Sequence, residues 1–137
     1  LIASTSEVYG KAMHQKNSAE GLREDNDSVF GNTGIRRWAY ATSKALDEFM
    51  ALAYYHEKKL PVVIVRFFNT VGPGQIGDYG MVLPRFVNKA LSNNPIPIFG
   101  DGNQKRSFTH VEDAIEAITS LMDTKEAYGK VFNVGNV

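Results

Sequence analysis

The chain has 137 residues, 43% apolar and 22% charged, with 15 acidic side chains against 15 basic ones. That balance leaves no electrostatic footprint for nucleic acid or an anionic membrane, and the absence of cysteine excludes disulfides, thiol nucleophiles and thiolate metal sites. No run is long enough to span a bilayer and no signal peptide opens the chain, so a single soluble domain in the cytoplasm is expected. The abrupt start at Leu1-Ile2-Ala3 reads as the middle of a buried strand, which suggests a piece of a larger protein.

In chain order, residues 1–10 run from an apolar strand into Ser4, Thr5, Ser6 and Glu7, then stop at Tyr9-Gly10. In an open parallel sheet, ligands sit beyond the carboxyl ends of strands, where these side chains should lie. Hydroxyls at such a junction also serve as plain backbone caps. Residues 11–36 are polar and broken by Gly21, Gly31 and Gly34, with no helical or strand period; loops this long inside domains are lids or disordered segments. His14, without a partner at metal-ligand spacing, reads as a solvated side chain.

A helix is expected from Tyr40 to about Lys59, ended by Pro61. Its apolar residues, among them Leu46, Phe49, Met50 and Tyr54, spread too widely for one core-facing stripe, so a second buried face against a partner is expected. Val62-Val63-Ile64-Val65 is an unalternating run of the kind found in strands covered on both faces. Arg66 to Gly74 then leaves the strand's carboxyl end. A second helix is expected over 82–93, and Pro95-Ile96-Pro97-Ile98-Phe99 reads as a short extended piece suited to a sheet edge. A third helix opens near Glu112 and Asp113, acids that suit a helix N-terminus, and runs to about Met122. Residues 131–135 read as one more strand. The alternation gives an α/β class with a doubly wound sheet.

Tyr40 and Lys44 stand four apart, one above the other on the same helix face. An ammonium there favours the phenolate, whose unperturbed pKa of about 10 makes it a poor base at neutral pH. A phenol tuned this way can take a proton from a sugar hydroxyl while hydride leaves the same carbon. Arg106 reads either as a surface ion-pair partner or as a fork for an oxyanion. No glycine-rich dinucleotide loop follows a strand in these residues.

Four ordered segments carry a resemblance: Ser4-Thr5-Ser6-Glu7-Val8-Tyr9-Gly10, Tyr40-x-x-x-Lys44, Arg66-Phe67-Phe68-Asn69-Thr70-Val71-Gly72-Pro73, and Arg106-Ser107-Phe108-Thr109-His110-Val111-Glu112-Asp113. Together they resemble the extended short-chain dehydrogenase/reductase superfamily, in its NAD-dependent nucleotide-sugar epimerases, dehydratases and decarboxylases. The resemblance covers nearly the whole chain but only the latter part of such an enzyme. It implies a Rossmann-type fold in two portions: residues 1–72, the second half of the NAD-binding domain without its glycine-rich first half, and residues 73–137, the nucleotide-sugar portion with returns to the core sheet.

By the same resemblance Thr5, Glu7, Tyr40 and Lys44 are catalytic; Ser4, Tyr40, Lys44 and Phe67 meet NAD; and Thr5, Ser6, Asn69 and Arg106 meet a nucleotide sugar, UDP-linked. No metal is implied. Tyr40 accepts the sugar C4 hydroxyl proton, Lys44 lowers its pKa and holds the nicotinamide ribose, Thr5 bonds the reacting oxygen, and Asn69 and Arg106 meet the diphosphate or a sugar carboxylate. Ser6-Glu7 after Thr5 resembles UDP-glucuronate decarboxylases most, although some 4-epimerases share it. Gly74 departs from the pattern, since relatives often carry arginine after Gly-Pro. A truncated binding or assembly module and a simple NAD(P)-dependent reductase are the competing functions. The intact enzyme is expected to be a homodimer, and neither nucleic acid nor membrane is an expected partner.

Overall fold

A computed structural model describes residues 1–14, 21–78 and 81–136; the side chain of His14, and with it the expected solvation of that residue, lies outside the described part. In chain order come β1 (Ile2–Thr5), two 3-10 turns (Ser6–Tyr9 and Lys11–His14), α1 (Arg37–Lys58), β2 (Val63–Phe67), β3 (Thr70–Val71), α2 (Val82–Leu91), β4 (Thr109–His110), α3 (Val111–Met122), a 3-10 turn (Lys125–Ala127) and β5 (Lys130–Val134). The α/β class expected from the sequence is the observed one.

β2 is the centre of a three-stranded parallel sheet, with β1 and β5 on its two sides. The ladders run from Ile2 opposite Ile64 to Thr5 opposite Phe67, and from Val63 opposite Lys130 to Phe67 opposite Val134. The unalternating valine run has its reason here. Ile64 packs with Val62 and Ala51 on the α1 side, while Val63 and Val65 pack with Ala114, Ala127 and Val134 on the α3 side. Ile64 and Val65 are both 0% exposed, and each contributes about 1.5–3 kcal/mol by leaving water.

α1 buries Trp38, Ala41, Ala45, Glu48 and Ala51 at helical spacing, Ala51 against Val62 and Ile64, Ala45 against Val8 and Tyr9, and Trp38 beside Phe30. It closes with Lys59 in the left-handed region at φ 57°, where the Leu60 N–H reaches the Tyr54 carbonyl at 3.4 Å and the Lys59 N–H reaches that of Tyr55 at 3.1 Å. The Lys59 bond is the 5→1 bond of a left-handed (αL) helix closure. α3 begins where its acids predict, with His110 Nδ1 accepting the Glu112 N–H at 3.3 Å.

Several expectations need adjusting. α1 starts at Arg37, so Tyr40 lies one turn inside the helix. α2 ends at Leu91 and buries none of its residues, although its apolar spacing is clear. The expected edge piece at 95–99 joins no ladder and leaves Ile98 and Phe99 each 69% exposed; its two prolines lack the N–H groups a strand would donate. The small parallel sheet of β3 and β4, with Thr70 opposite Thr109, was not foreseen, because two residues per strand carry no readable period. Among the described residues no helix is long and apolar enough to cross a membrane.

Two substitutions test these local constraints in opposite directions. Gly129 has φ +74° and an added Cβ would lie 2.1 Å from the Tyr55 ring, so Gly129→Ala is expected to destabilise the fold by about 1–3 kcal/mol. Lys59→Gly removes a Cβ from the left-handed position and is expected to stabilise by about 0.5–1 kcal/mol, the steric relief minus the glycine's entropy. Urea midpoints moving apart at unchanged slope check both.

Candidate active site

The carboxyl ends of the three strands lie side by side, since Thr5 faces Phe67 and Phe67 faces Val134 across the ladders. Thr5 is 9% exposed, and its hydroxyl accepts the Glu7 N–H at 3.2 Å, capping the turn that follows. The capping role and the site position therefore fall on one residue. Ser6 beside it is buried. The Glu7 carboxylate reaches across to Arg37 Nη2 at 3.2 Å, joining the end of β1 to the first turn of α1. Both side chains are partly exposed, so the pair contributes at most about 1 kcal/mol.

Tyr40 stands on the next turn of α1, 56% exposed. Lys44 follows one turn later, and its ammonium donates to Asp47 Oδ2 at 2.8 Å. Phe67 is half-buried against the α3-side core. Asn69 donates from Nδ2 to the Ser107 carbonyl at 2.8 Å, and its own carbonyl takes the Thr109 N–H at 3.2 Å. That stitch carries Arg106 beside the strand ends; Arg106 is exposed and its Nη1 donates to the Lys105 carbonyl at 2.9 Å. Ser4 turns inward instead, 5% exposed, with its hydroxyl donating to Glu48.

That inward contact belongs to a buried polar row. Ser4, Arg66 and Asn133 are successive partners across the sheet, and all three face α1 because side chains alternate along strands. Glu48 of α1 closes the row, taking Arg66 Nε at 3.0 Å and Nη2 at 2.7 Å. Arg66 Nη1 donates to the Glu24 carbonyl at 3.1 Å, and its guanidinium lies 4.7 Å above the Tyr9 ring. The Tyr9 hydroxyl donates to Asn133 Oδ1 at 2.7 Å, the Asn133 N–H to Glu24 Oε1 at 2.8 Å, and Asn133 Nδ2 to the Leu22 carbonyl at 3.0 Å. Burial works against the Arg66 charge, but hydrogen bonds and charge from Glu48 and Tyr9 outweigh it and hold the pKa above its ordinary value.

The segment around Glu24 is thus tied to the strand ends. Gly10 helps to bring it there: its φ is 60°, and a Cβ would lie 2.2 Å from the Val29 carbonyl oxygen, which accepts the Lys11 N–H at 2.7 Å. The sequence did carry a signal for the row, a lone acid on the alanine stripe of α1 and a lone arginine ending a β-branched run.

Comparison with known proteins agrees with the fold. The sequence profile of the NAD dependent epimerase/dehydratase family matches residues 1–135. The UDP-N-acetyl-alpha-D-glucosaminuronate decarboxylase of Bacillus cytotoxicus is 43% identical over 137 residues, 99% of this chain and 40% of its own length. The structure of Pal from Bacillus thuringiensis is 36% identical with a TM-score of 0.84, over 98% of this chain and 40% of that one. The UDP-glucuronic acid 4-epimerase of Bacillus cereus, solved in complex with UDP-glucuronic acid and NAD, is 32% identical with a TM-score of 0.81, over 98% of this chain and 39% of that one. The chain thus spans about two fifths of each of these relatives. By the extent of the profile match, the chain belongs to the NAD dependent epimerase/dehydratase family.

Proposed function

We propose that the protein containing this chain oxidises C4 of a UDP-linked hexuronic acid with NAD and then releases C6 as CO2. The observation that carries it is the end of β1, where the hydroxyl of Thr5 and the carboxylate of Glu7, held at 3.2 Å by Arg37 of α1, stand by the helix that bears the exposed phenol of Tyr40. The decarboxylase and 4-epimerase among the relatives, both named for uronic-acid substrates, support it. The 4-epimerase route is the second reading, since Thr-Ser-Glu serves both.

The donor set fits one end of the dinucleotide. A phenol and an ammonium one turn apart on α1, with a hydroxyl on β1, suit a ribose and the carbon being oxidised. The glycine turn that would cradle the pyrophosphate is not among these 137 residues. When bound, NAD supplies the hydride acceptor. Tyr40 takes the C4 hydroxyl proton, Lys44 favours the phenolate and bonds the ribose, and Thr5 donates to the same sugar oxygen. The resulting C4 ketone is β to the C6 carboxylate, so the electrons of the C5–C6 bond pass into an enolate as CO2 departs. Glu7 then handles the proton that returns to C5, and return of the hydride to C4 with the proton held by Tyr40 would leave a UDP-pentose. Ser6 and Asn69 support the sugar and the diphosphate, and Arg106 offers a guanidinium to the diphosphate or the carboxylate. Residues 1–72 serve the cofactor side and residues 73–137 the nucleotide-sugar side, with a cytoplasmic setting. Ser4 and Phe67 shape the cofactor side from within the fold.

The test is UDP-glucuronate with the intact protein. CO2 and a UDP-pentose are the expected products, and a C4 epimer alone would move the function to the second reading. Tyr40→Phe is expected to lower turnover by about 10²–10⁴-fold with nucleotide-sugar binding nearly unchanged; near-normal turnover would remove Tyr40 as the base.

The intact protein is also proposed to be a homodimer through α1. Leu46, Phe49, Met50 and Tyr54 form one exposed apolar stripe, with Phe49 70% exposed, on the face opposite the sheet. Phe49→Glu is expected to give monomers by light scattering at tens of micromolar, where the parent protein is dimeric.

A further inference from the structure

The buried row of Ser4, Arg66 and Asn133 takes no part in the chemistry above, yet it touches the elements that carry the reacting groups. Glu48 lies on α1 one turn beyond Lys44 and two beyond Tyr40. Its carboxylate accepts the hydroxyl of Ser4, the residue before Thr5, and is gripped at both oxygens by Arg66 of β2. The two charged side chains are 9% and 8% exposed, so water hardly competes for them.

On either side of that contact α1 buries Ala41, Ala45 and Ala51, and its larger packed side chains, Trp38, Leu52 and Tyr55, lie further towards its ends. Apolar contact is non-directional, and methyl groups give little relief to stop a helix from sliding along a sheet. A planar guanidinium against a carboxylate is directional and admits one alignment. We propose that Glu48, locked by Arg66 and Ser4, is the positioning residue that sets the height of Tyr40 and Lys44 on α1 against Thr5 on β1. The inference rests on Tyr40 as the base. Neither Glu48 nor Arg66 needs to touch substrate: a displacement of about 1 Å between acid-base groups and substrate is enough to cost on the order of 10²-fold in rate.

Removing one partner would leave an unpaired buried charge and unfold the site for a trivial reason. The informative variant is Glu48→Leu/Arg66→Met in the intact enzyme, because paired apolar replacements of a buried ion pair are often neutral or stabilising. It is expected to melt within a few degrees of the parent, to lose about 10–100-fold in kcat, and to keep KM for UDP-glucuronate within about 3-fold, the pattern of lost transition-state alignment. A folded double variant with parental kcat overturns the proposal. If the double variant melts early, Glu48→Asp decides, since it keeps the charge but shortens the arm: lower kcat at parental stability supports the proposal, and parental kcat overturns it. Tyr40→Phe in the same assay separates the two readings. If it stays active, the base assignment fails; if it is inactive while the double variant is fully active, only the positioning role fails.

Discussion

A guanidinium and a carboxylate taken out of water together constrain most of this structure. Arg66 spends its three nitrogens on Glu48 and on the carbonyl of Glu24, and its face lies over Tyr9. Strand, helix and the connecting segment therefore meet at one residue. Such a pair gives modest net stability, because desolvation offsets attraction. Its contribution lies in direction, in a layer where every other contact between α1 and the sheet is apolar or small. Tyr9 and Asn133 extend the same network to β5, so the far strand is aligned by hydrogen bonds that begin on α1.

Outside that row the sheet is ordinary apolar packing, and the division of labour is clear. Val63, Val65 and the strand-end Phe67 and Val134 serve α3, while Ile64 and Val62 serve α1. The Thr5 hydroxyl caps the turn that aims Glu7, and the same side chain stands at the carboxyl end of β1.

Much of this was legible in the sequence, for physical reasons that differ by element. β2 announces itself because a doubly covered strand has no polar alternation, and α1 was legible as a helix although its wide apolar spread masked the narrow stripe of Ala41, Ala45 and Ala51 that it buries. α3 was legible from its acidic first turn. β3 and β4 were not, since two residues have no period and owe their pairing to a tertiary stitch through Asn69. The apolar spacing of α2 was correct, but spacing gives a face and not its cover. Tyr40, Lys44, Thr5 and Glu7 stand out in the sequence as a pattern, while the buried ties of Glu48 were hidden. Its partners lie on strands distant in sequence, and only the register of the ladders makes Ser4 and Arg66 neighbours.

The ladders themselves have a kinetic consequence. Ile2 pairs with Ile64, and Val63 with Lys130, so each contact in the main sheet joins segments separated by a long stretch that includes a helix. Entropy for closing such loops is lost before any strand pair returns enthalpy. α1 and α3 can form locally, but their alanine stripe and acidic cap stabilise them little until β2 is in place. Folding must therefore pass through states in which the valine run of β2 is uncovered on both faces, and a chaperone or an early-docking partner segment has its greatest effect in that interval.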